Sequence, residues 1–437
     1  MPNKLSLFPQ NSTLTPTGEL LLAGYPATEL AQQFGTPLYV YHADTIHQKI
    51  AAYRKTLADY PGPSRLTYAG KAFLCPAIAR LMANAGVGLD TASAGEIFIA
   101  RHGEADPATM HFHGNNKSRL ELQTALQTGV GRIVVDNATE LDLLTELAQS
   151  ADQPVKIWLR VTPDVGVKTH HRHTVTGTAD SKFGFSPAEV QAVAHRLLSH
   201  NRSPVQLTGL HMHLGSHFHH SGPVAQAIYR LLDLVVVLHE EYGWTMEEFC
   251  PGGGWGVRYH PDDPPMPIKP FAIGLVRAVI QGCKQRRLPL PELILEPGRS
   301  LIAQAGVALY AVGGHKVTAS GRIFVNLDGG LADNPRPAMY QARYTALLAN
   351  RATAPEVETV SLAGPYCESG DILIDSVNLP LVKPGDIIAV PMAGAYHLSM
   401  SSNYNGALRP AVILLAQKKA SLIQRRETFE DLIARDV

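Results

Sequence analysis

Between residues 65 and 300, short apolar runs and longer amphipathic stretches follow one another eight times, and this alternation limits the possible folds more than any other feature of the chain. The strand-like runs are Arg65–Gly70, Val87–Asp90, Met110–His113, Arg132–Asp136, Lys156–Val161, Gln206–His213, a weaker one near Phe249, and Glu292–Glu296. Helical periodicity fills the gaps over Pro76–Ala85, Ala94–His102, Ser118–Gln127, Ala138–Ala151, Pro187–Ser199, Pro223–Tyr242 and Lys269–Gln285. Serial β-then-α units predict an α/β fold, a (β/α)8 barrel of TIM type, whose reactive groups sit at the carboxyl ends of its strands. The runs here end on Lys71, Asp90, His113, Asp136, Arg160, His213, the glycines Gly252–Gly254, and Glu296. A polar residue at any one strand end is ordinary loop chemistry. Eight in series are harder to explain by packing alone.

Beyond residue 301 the pattern changes. Val307–Val312, Arg322–Leu327, Glu358–Leu362, Asp386–Pro391 and Arg409–Leu415 are β-rich and separated by Gly, Pro and Asn, which predicts an antiparallel β-domain. Pro37–Tyr41 reads the same way, so the N-terminal segment is expected to join that domain. The expected division is a barrel over residues 46–301 and a β-sandwich or barrel-like domain from 1–45 plus 302–437.

Composition excludes several classes of function. With 38 basic and 38 acidic residues in 437, the chain has no cationic excess for nucleic acid or a membrane surface. Met1 to Leu21 holds no apolar core flanked by positive charge, and the apolar run near Leu231–Leu238 is broken by Asp233, so neither a signal peptide nor a membrane span is expected. Cys75, Cys250, Cys283 and Cys367 are scattered without a CxxC pair, as suits free thiols in a cytoplasmic protein.

Six segments carry chemistry. Lys71, after an apolar strand, would project into a barrel mouth; a lysine there can become a nucleophilic amine and form a Schiff base with a carbonyl. A lone lysine is more often a solvated charge. Gly252-Gly253-Gly254-Trp255-Gly256 follows the seventh strand, where barrels often cradle phosphate on backbone N–H groups. Glu296-Pro297-Gly298-Arg299 ends the eighth; its carboxylate can keep a ring nitrogen protonated, and Arg299 offers a planar fork for an anion. His211 and His213, two apart on a strand, face one way. With His217, His219, His220 and the group His170, His171 and His173 they invite a metal reading, but no Cys or carboxylate at ligand spacing completes a site, so no metal is expected. A flat imidazole stacked on an aromatic cofactor fits better. In the β-domain, Cys367 beside Glu368 pairs a proton-delivering thiol with an acid, and Arg336 and Tyr340 lie in a polar stretch of their own.

Nine motifs occur in one order from Tyr68 to Asn405: YAGKAF, HFHGNNKS, SKFG, HMHLGS, GGGWG, EPGR, DNPRPAMY, GPYCESGD and GAY with SSNYN. The set resembles the fold-type III pyridoxal 5′-phosphate (PLP)-dependent decarboxylases, built on an alanine racemase-like barrel, and most closely the diaminopimelate decarboxylases. The resemblance implies that Lys71 holds PLP and that His213 stacks on its ring. Asp90 belongs to the same cofactor site. Ser216, Gly252, Gly253, Gly254, Arg299 and Tyr396 would hold the phosphate, and Glu296 would pair with the ring nitrogen. It further implies a homodimer with shared active sites, in which Cys367 donates a proton and Glu368 meets the distal ammonium. Arg299, Arg336 and Tyr340 would clamp a distal carboxylate, with Tyr396 also near substrate. The chain departs from the family pattern at Gly70, at His217 and over Gly406–Pro410, none of which removes a catalytic group.

The distal clamp separates substrates. An acid lacking a second carboxylate would leave buried arginine charge unpaired, which is how polar pockets reject truncated analogues. The activity implied is decarboxylation of meso-2,6-diaminopimelate to L-lysine and carbon dioxide, the last step of lysine biosynthesis. The alternatives are a decarboxylase for D-ornithine, lysine or carboxynorspermidine, an amino-acid racemase of the same architecture, or a non-catalytic PLP-binding homologue. A racemase of this fold uses other motifs, and a silent homologue tends to lose the lysine or the thiol; both are present here.

Overall fold

The computed structural model describes residues 2–165, 180–199 and 203–437. His170, His171 and His173 lie outside the described residues. The chain separates into two compact units. One comprises Lys49–Gly256 and Met266–Ser300; the other comprises Met1–Gln48, Val257–Pro265 and Leu301–Val437.

The first unit is a closed barrel of eight parallel strands: Ser64–Ala69, Gly88–Thr91, Met110–Phe112, Arg132–Val135, Val155–Arg160, Val205–His211, Glu248–Cys250 and Glu292–Leu295. They pair in chain order and the eighth closes on the first. Six of the strands stop one or two residues short of the polar or glycine group read as their end, so Lys71, His113 and His213 belong to the loops that follow, whereas Asp90 and Arg160 lie within their strands. Local chemistry stops the strands there. Ser93, Ser118, Asn137 and Ser186 each accept a backbone N–H at the start of the next helix, and Ser118–Glu121 and Ser186–Glu189 complete capping boxes. Gly222–Tyr242 is long and apolar enough to cross a membrane by length and composition. Its Val224, Ala227, Ile228, Leu231, Leu232, Leu234, Val235 and Leu238 are buried in the unit, where it packs on Ile268–Arg286.

The amino-terminal end of the barrel is plugged by a charge cluster. Glu248 accepts hydrogen bonds from Arg132 Nε (2.6 Å), Trp158 Nε1 (2.8 Å) and Thr208 Oγ1 (2.8 Å), and Arg65 Nη2 lies 3.5 Å from it. Burial opposes ionisation, but these donors, Arg132 first, pull the carboxyl down to about 2.

The second unit holds a sheet in which Leu38–His42 runs between Gly306–Val317, antiparallel, and Ala411–Ala416, parallel. Ile323–Leu327 also pairs in parallel with Glu358–Ala363. The sheet is therefore mixed, where an antiparallel one was expected. The reason is connection length: residues 328–357 cross over between those two strands, so they enter the sheet from the same side. Two helices of eight residues or more went unread in the sequence, Ala27–Phe34 and Ala43–Leu57. The unit's core gathers Leu20, Leu22, Leu30, Leu38, Val40, Leu309 and Ile413, all nearly inaccessible. Cys75, Cys250 and Cys283 are buried and Cys367 is exposed, none of them in a disulfide.

Candidate active site

The barrel strands deliver their polar groups to one rim because parallel strands end on the same side. The first and eighth strands are neighbours, and Ala69 N–H donates to the Pro297 carbonyl at 3.3 Å just past their ends. Lys71 and Glu296 therefore stand on adjacent strands at the same end. Lys71 lies in a short 3-10 turn, exposed, and its charge acts on both Asp90 and His213.

Glu296 is 5% exposed and receives three imidazoles. His111 Nδ1 (2.9 Å) and His113 Nε2 (3.2 Å) meet Oε1, and His211 Nε2 meets Oε2 at 3.2 Å. Burial alone would raise its pKa; the neighbouring His113 and the three hydrogen bonds outweigh that and hold the carboxyl well below the usual range. The cost falls on the histidines. Burial lowers His111, and lowers His211 to about 3, so both are neutral donors. Asp90, 3.6 Å from His113 Nε2, is raised, chiefly by burial. The arrangement keeps one buried carboxylate ionised among imidazole donors, as suits a partner for a protonated ring nitrogen.

His213 is half-buried in the loop beyond the sixth strand, whereas His211 closes that strand. The two therefore have different surroundings: His211 meets Glu296, while the protonation of His213 is disfavoured, first by burial and then by Lys71. Spacing along the sequence put no Cys or carboxylate beside these histidines. Folding brings His211, Cys250 and Glu296 within 4.8 Å of one another, and likewise His111, His113 and Glu296. Carboxylate and thiol do complete such a cluster, through space and not through spacing. His219 and His220 are exposed.

The triple glycine passes the test for an anion cradle. A Cβ on Gly253 would lie 2.1 Å from the Glu296 carbonyl oxygen, one on Gly254 2.3 Å from the Gly215 carbonyl oxygen, and one on Gly252 2.8 Å from His213 Nδ1. Gly252 and Gly254 also have φ of +76° and +89°. Only glycine lets backbone N–H groups come this close to the neighbouring loops. Beside it, Arg299 Nη2 donates to Ser216 Oγ at 3.1 Å. A backbone cradle, an arginine, an ionised buried carboxylate and an amine on the adjacent strand end match the phosphate, ring nitrogen and aldehyde of PLP. The residues fit the group.

Two further motifs frame this rim. Lys117 is buried and donates to Gly114 O (2.9 Å), Val134 O (2.7 Å) and Glu140 Oε1 (2.7 Å), which ties down the loop carrying His113. Arg160 stacks 4.2 Å from the Phe183 ring and lies 3.8 Å from Asp136, whose Oδ2 accepts Gly184 N–H at 2.9 Å. The SKFG segment is thus held by charge at the fifth strand end.

In the second unit, Arg336 opens a short helix, buried, with Tyr340 half-buried at its end. Its guanidinium lies 4.6 Å from the Tyr259 ring centre and 5.6 Å from that of Tyr344. Tyr396, half-buried, adopts φ +62°, a left-handed conformation that costs a non-glycine residue on the order of 1–3 kcal/mol. Cys367 and Glu368 are exposed; Cys367 N–H donates to Asn405 Oδ1 at 3.0 Å, which links two of the sequence motifs. Sequence reading missed His111, as a partner of Glu296, and Tyr259, Tyr344 and His397 around Arg336. The spacing of His111 and His113, two apart, was the one available hint.

Residues 43–303 match the pyridoxal-dependent decarboxylase, pyridoxal binding domain. Over 451 aligned residues the chain is 41% identical to a diaminopimelate decarboxylase from Synechocystis sp., covering 100% of this chain and 93% of that one. The chain belongs to the diaminopimelate decarboxylase family. The Bacillus subtilis member is 38% identical over 96% of this chain and 95% of its own. A crystal structure of the M. jannaschii diaminopimelate decarboxylase superposes with a TM-score of 0.91 at 33% identity, covering 100% of this chain and 99% of that one. Its complex with L-lysine gives 0.90. Family membership makes PLP the cofactor and the chain a PLP-dependent lyase.

Proposed function

We infer that this family member removes one carboxylate of meso-2,6-diaminopimelate as carbon dioxide and leaves L-lysine, completing lysine biosynthesis in the cytoplasm. The single observation that carries the reading is the shared rim: an amine at Lys71 and an ionised carboxylate at Glu296 on adjacent strand ends, beside a glycine cradle. Bound PLP supplies an electron sink for the carbon that loses carbon dioxide.

The chain's own groups do the rest. Lys71 would hold the cofactor covalently through its amine. Glu296 keeps the proton on the ring nitrogen, Asp90 contributes to the cofactor site, and His213 covers a ring face. Ser216, Gly252, Gly253, Gly254, Arg299 and Tyr396 hold the phosphate. Arg299, Arg336 and Tyr340 take the distal carboxylate, Glu368 the distal ammonium, and Tyr396 also lies beside substrate. Cys367 returns a proton to the decarboxylated carbon. The protein acts as a homodimer, each subunit lending its Cys367 and Glu368 to the partner's site; the exposure of both side chains supports this.

Carbon dioxide release from PLP-loaded enzyme offered meso-, LL- and DD-diaminopimelate, ornithine and lysine tests the substrate. Preference for the meso form is expected; preference for ornithine would overturn the assignment and leave the cofactor in place. Lys71→Ala should lose both turnover and the visible absorption of the covalently held cofactor. Retained turnover would defeat the scheme.

A further inference from the structure

Arg336 is 7% exposed, and the groups that act on its charge are the phenols of Tyr259, Tyr344 and Tyr396; among the described residues no carboxylate pairs with it. A buried guanidinium ordinarily sits against an acid. The nearest buried acid on its own segment is Asp333, three residues earlier and 3% exposed. The two form no ion pair. They are joined through a line of neutral groups.

Arg336 Nη1 donates to Tyr344 Oη. Tyr344 Oη lies 2.8 Å from His397 Nε2, and His397 Nδ1 lies 3.2 Å from Tyr39 Oη. Tyr39 Oη donates to Asp333 Oδ2 at 2.9 Å. Tyr310 donates to the same oxygen at 2.6 Å, and Gly330 N–H holds Oδ1 at 2.9 Å. The direction of every proton follows from the two ends. Arginine only donates and a carboxylate only accepts. Tyr39 therefore gives its proton to Asp333 and accepts from Nδ1–H of His397, whose Nε2 accepts from Tyr344. Tyr344 in turn accepts from Arg336. A neutral His397 with its proton on Nδ1 satisfies each link with no proton left over. Tyr39, Tyr310, Tyr344 and His397 are each at most 2% exposed, so water does not compete for these bonds.

The geometry points to Tyr344 and His397 as positioning residues that aim Arg336 at the distal carboxylate of the substrate while keeping Asp333 from neutralising it. A direct Arg336–Asp333 pair would occupy the fork and cancel its charge. The relay holds the guanidinium in place through one edge and through the two flanking rings. It thereby separates orientation from neutralisation. This inference rests on the proposed role of Arg336 as the distal clamp.

The test uses PLP-loaded enzyme and four variants: Arg336→Gln, Tyr344→Phe, His397→Leu and His397→Gln. Tyr344→Phe and His397→Leu should raise KM for meso-diaminopimelate about tenfold, as loss of one aligned charge-assisted hydrogen bond does, while kcat changes less than about threefold. His397→Gln, whose amide accepts at one end and donates at the other, should restore KM to within about threefold of the parent. Inhibition by lysine, which keeps a carboxylate at the distal end, should weaken in parallel with KM. Inhibition by cadaverine, which lacks that carboxylate, should not. If Arg336→Gln leaves KM and lysine inhibition unchanged, the distal-clamp reading itself fails. If Arg336→Gln raises KM but Tyr344→Phe and His397→Leu do not, or if they weaken lysine and cadaverine equally, the relay is overturned and the clamp survives.

Discussion

Glu296 shows how one residue acquires a function its neighbours in sequence cannot give it. A glutamate followed by Pro-Gly-Arg could be half of a surface ion pair. In the fold it is buried and accepts from His111, His113 and His211. Because its folded pKa lies below the ordinary value, its contribution to stability is present above about pH 4.3 and is lost as pH falls from there toward the folded value. Activity between pH 5 and 8 should therefore show no step from Glu296. Glu296→Gln should keep bound cofactor yet lower kcat by about two orders of magnitude, since a neutral amide cannot hold the ring nitrogen protonated. Turnover within a few-fold of the parent would remove Glu296 from the mechanism. Lys71 and Cys367 could be singled out from their motifs. His111 could not, because its role depends on a carboxylate 185 residues away.

At the scale of elements, the strand-end loops interlock more tightly than their sequences suggest. The triple glycine read as a phosphate loop, and the structure adds that Gly253 sits against the Glu296 backbone. Gly253→Ala should push the two loops apart and lower affinity for PLP at least about tenfold, measured by cofactor titration, with the barrel still folded. The opposite end of the barrel carries stability. Glu248→Gln removes the charge that Arg65 and Arg132 surround and should cost about 3 kcal/mol in urea unfolding at pH 7. The sign with pH follows from its depressed pKa: the parent's advantage over the variant is full above about pH 4.3 and shrinks as pH falls toward about 2. An advantage that grows with acid would show the cluster to be misread. Helix starts were legible to within a residue or two, because Ser118 and Ser186 announce their caps. Ala43–Leu57 was not, since it follows a strand of the other unit and breaks the β-then-α count.

For the whole molecule, the proposed shared dimer leads to an expectation no single-chain property gives. Lys71→Ala and Cys367→Ala enzymes, each inactive alone, should regain about a quarter of parental activity when subunits are exchanged, because half the dimers are mixed and each mixed dimer holds one intact site. No recovery after verified exchange would place lysine and thiol in the same subunit. The pairing of Leu38–His42 between Gly306–Val317 and Ala411–Ala416 also belongs to this scale. It joins segments from both sides of the barrel's stretch of sequence into one sheet, a non-local closure that hydrophobic patterning announces only as a β-like segment near the N-terminus.

The amino-acid order by itself determined the barrel, through a repeat whose period is local, and the candidate residues, through motifs a few residues long. What only the tertiary structure decided is which of those groups share a charge environment. The three imidazoles on Glu296, the thiol of Cys250 beside them, and the line from Arg336 to Asp333 each join segments far apart in the chain. Hydrogen bonds and desolvation act over a few ångströms of space and not along the chain, so periodicity and spacing carry little trace of them beyond the i, i+2 pair His111 and His113.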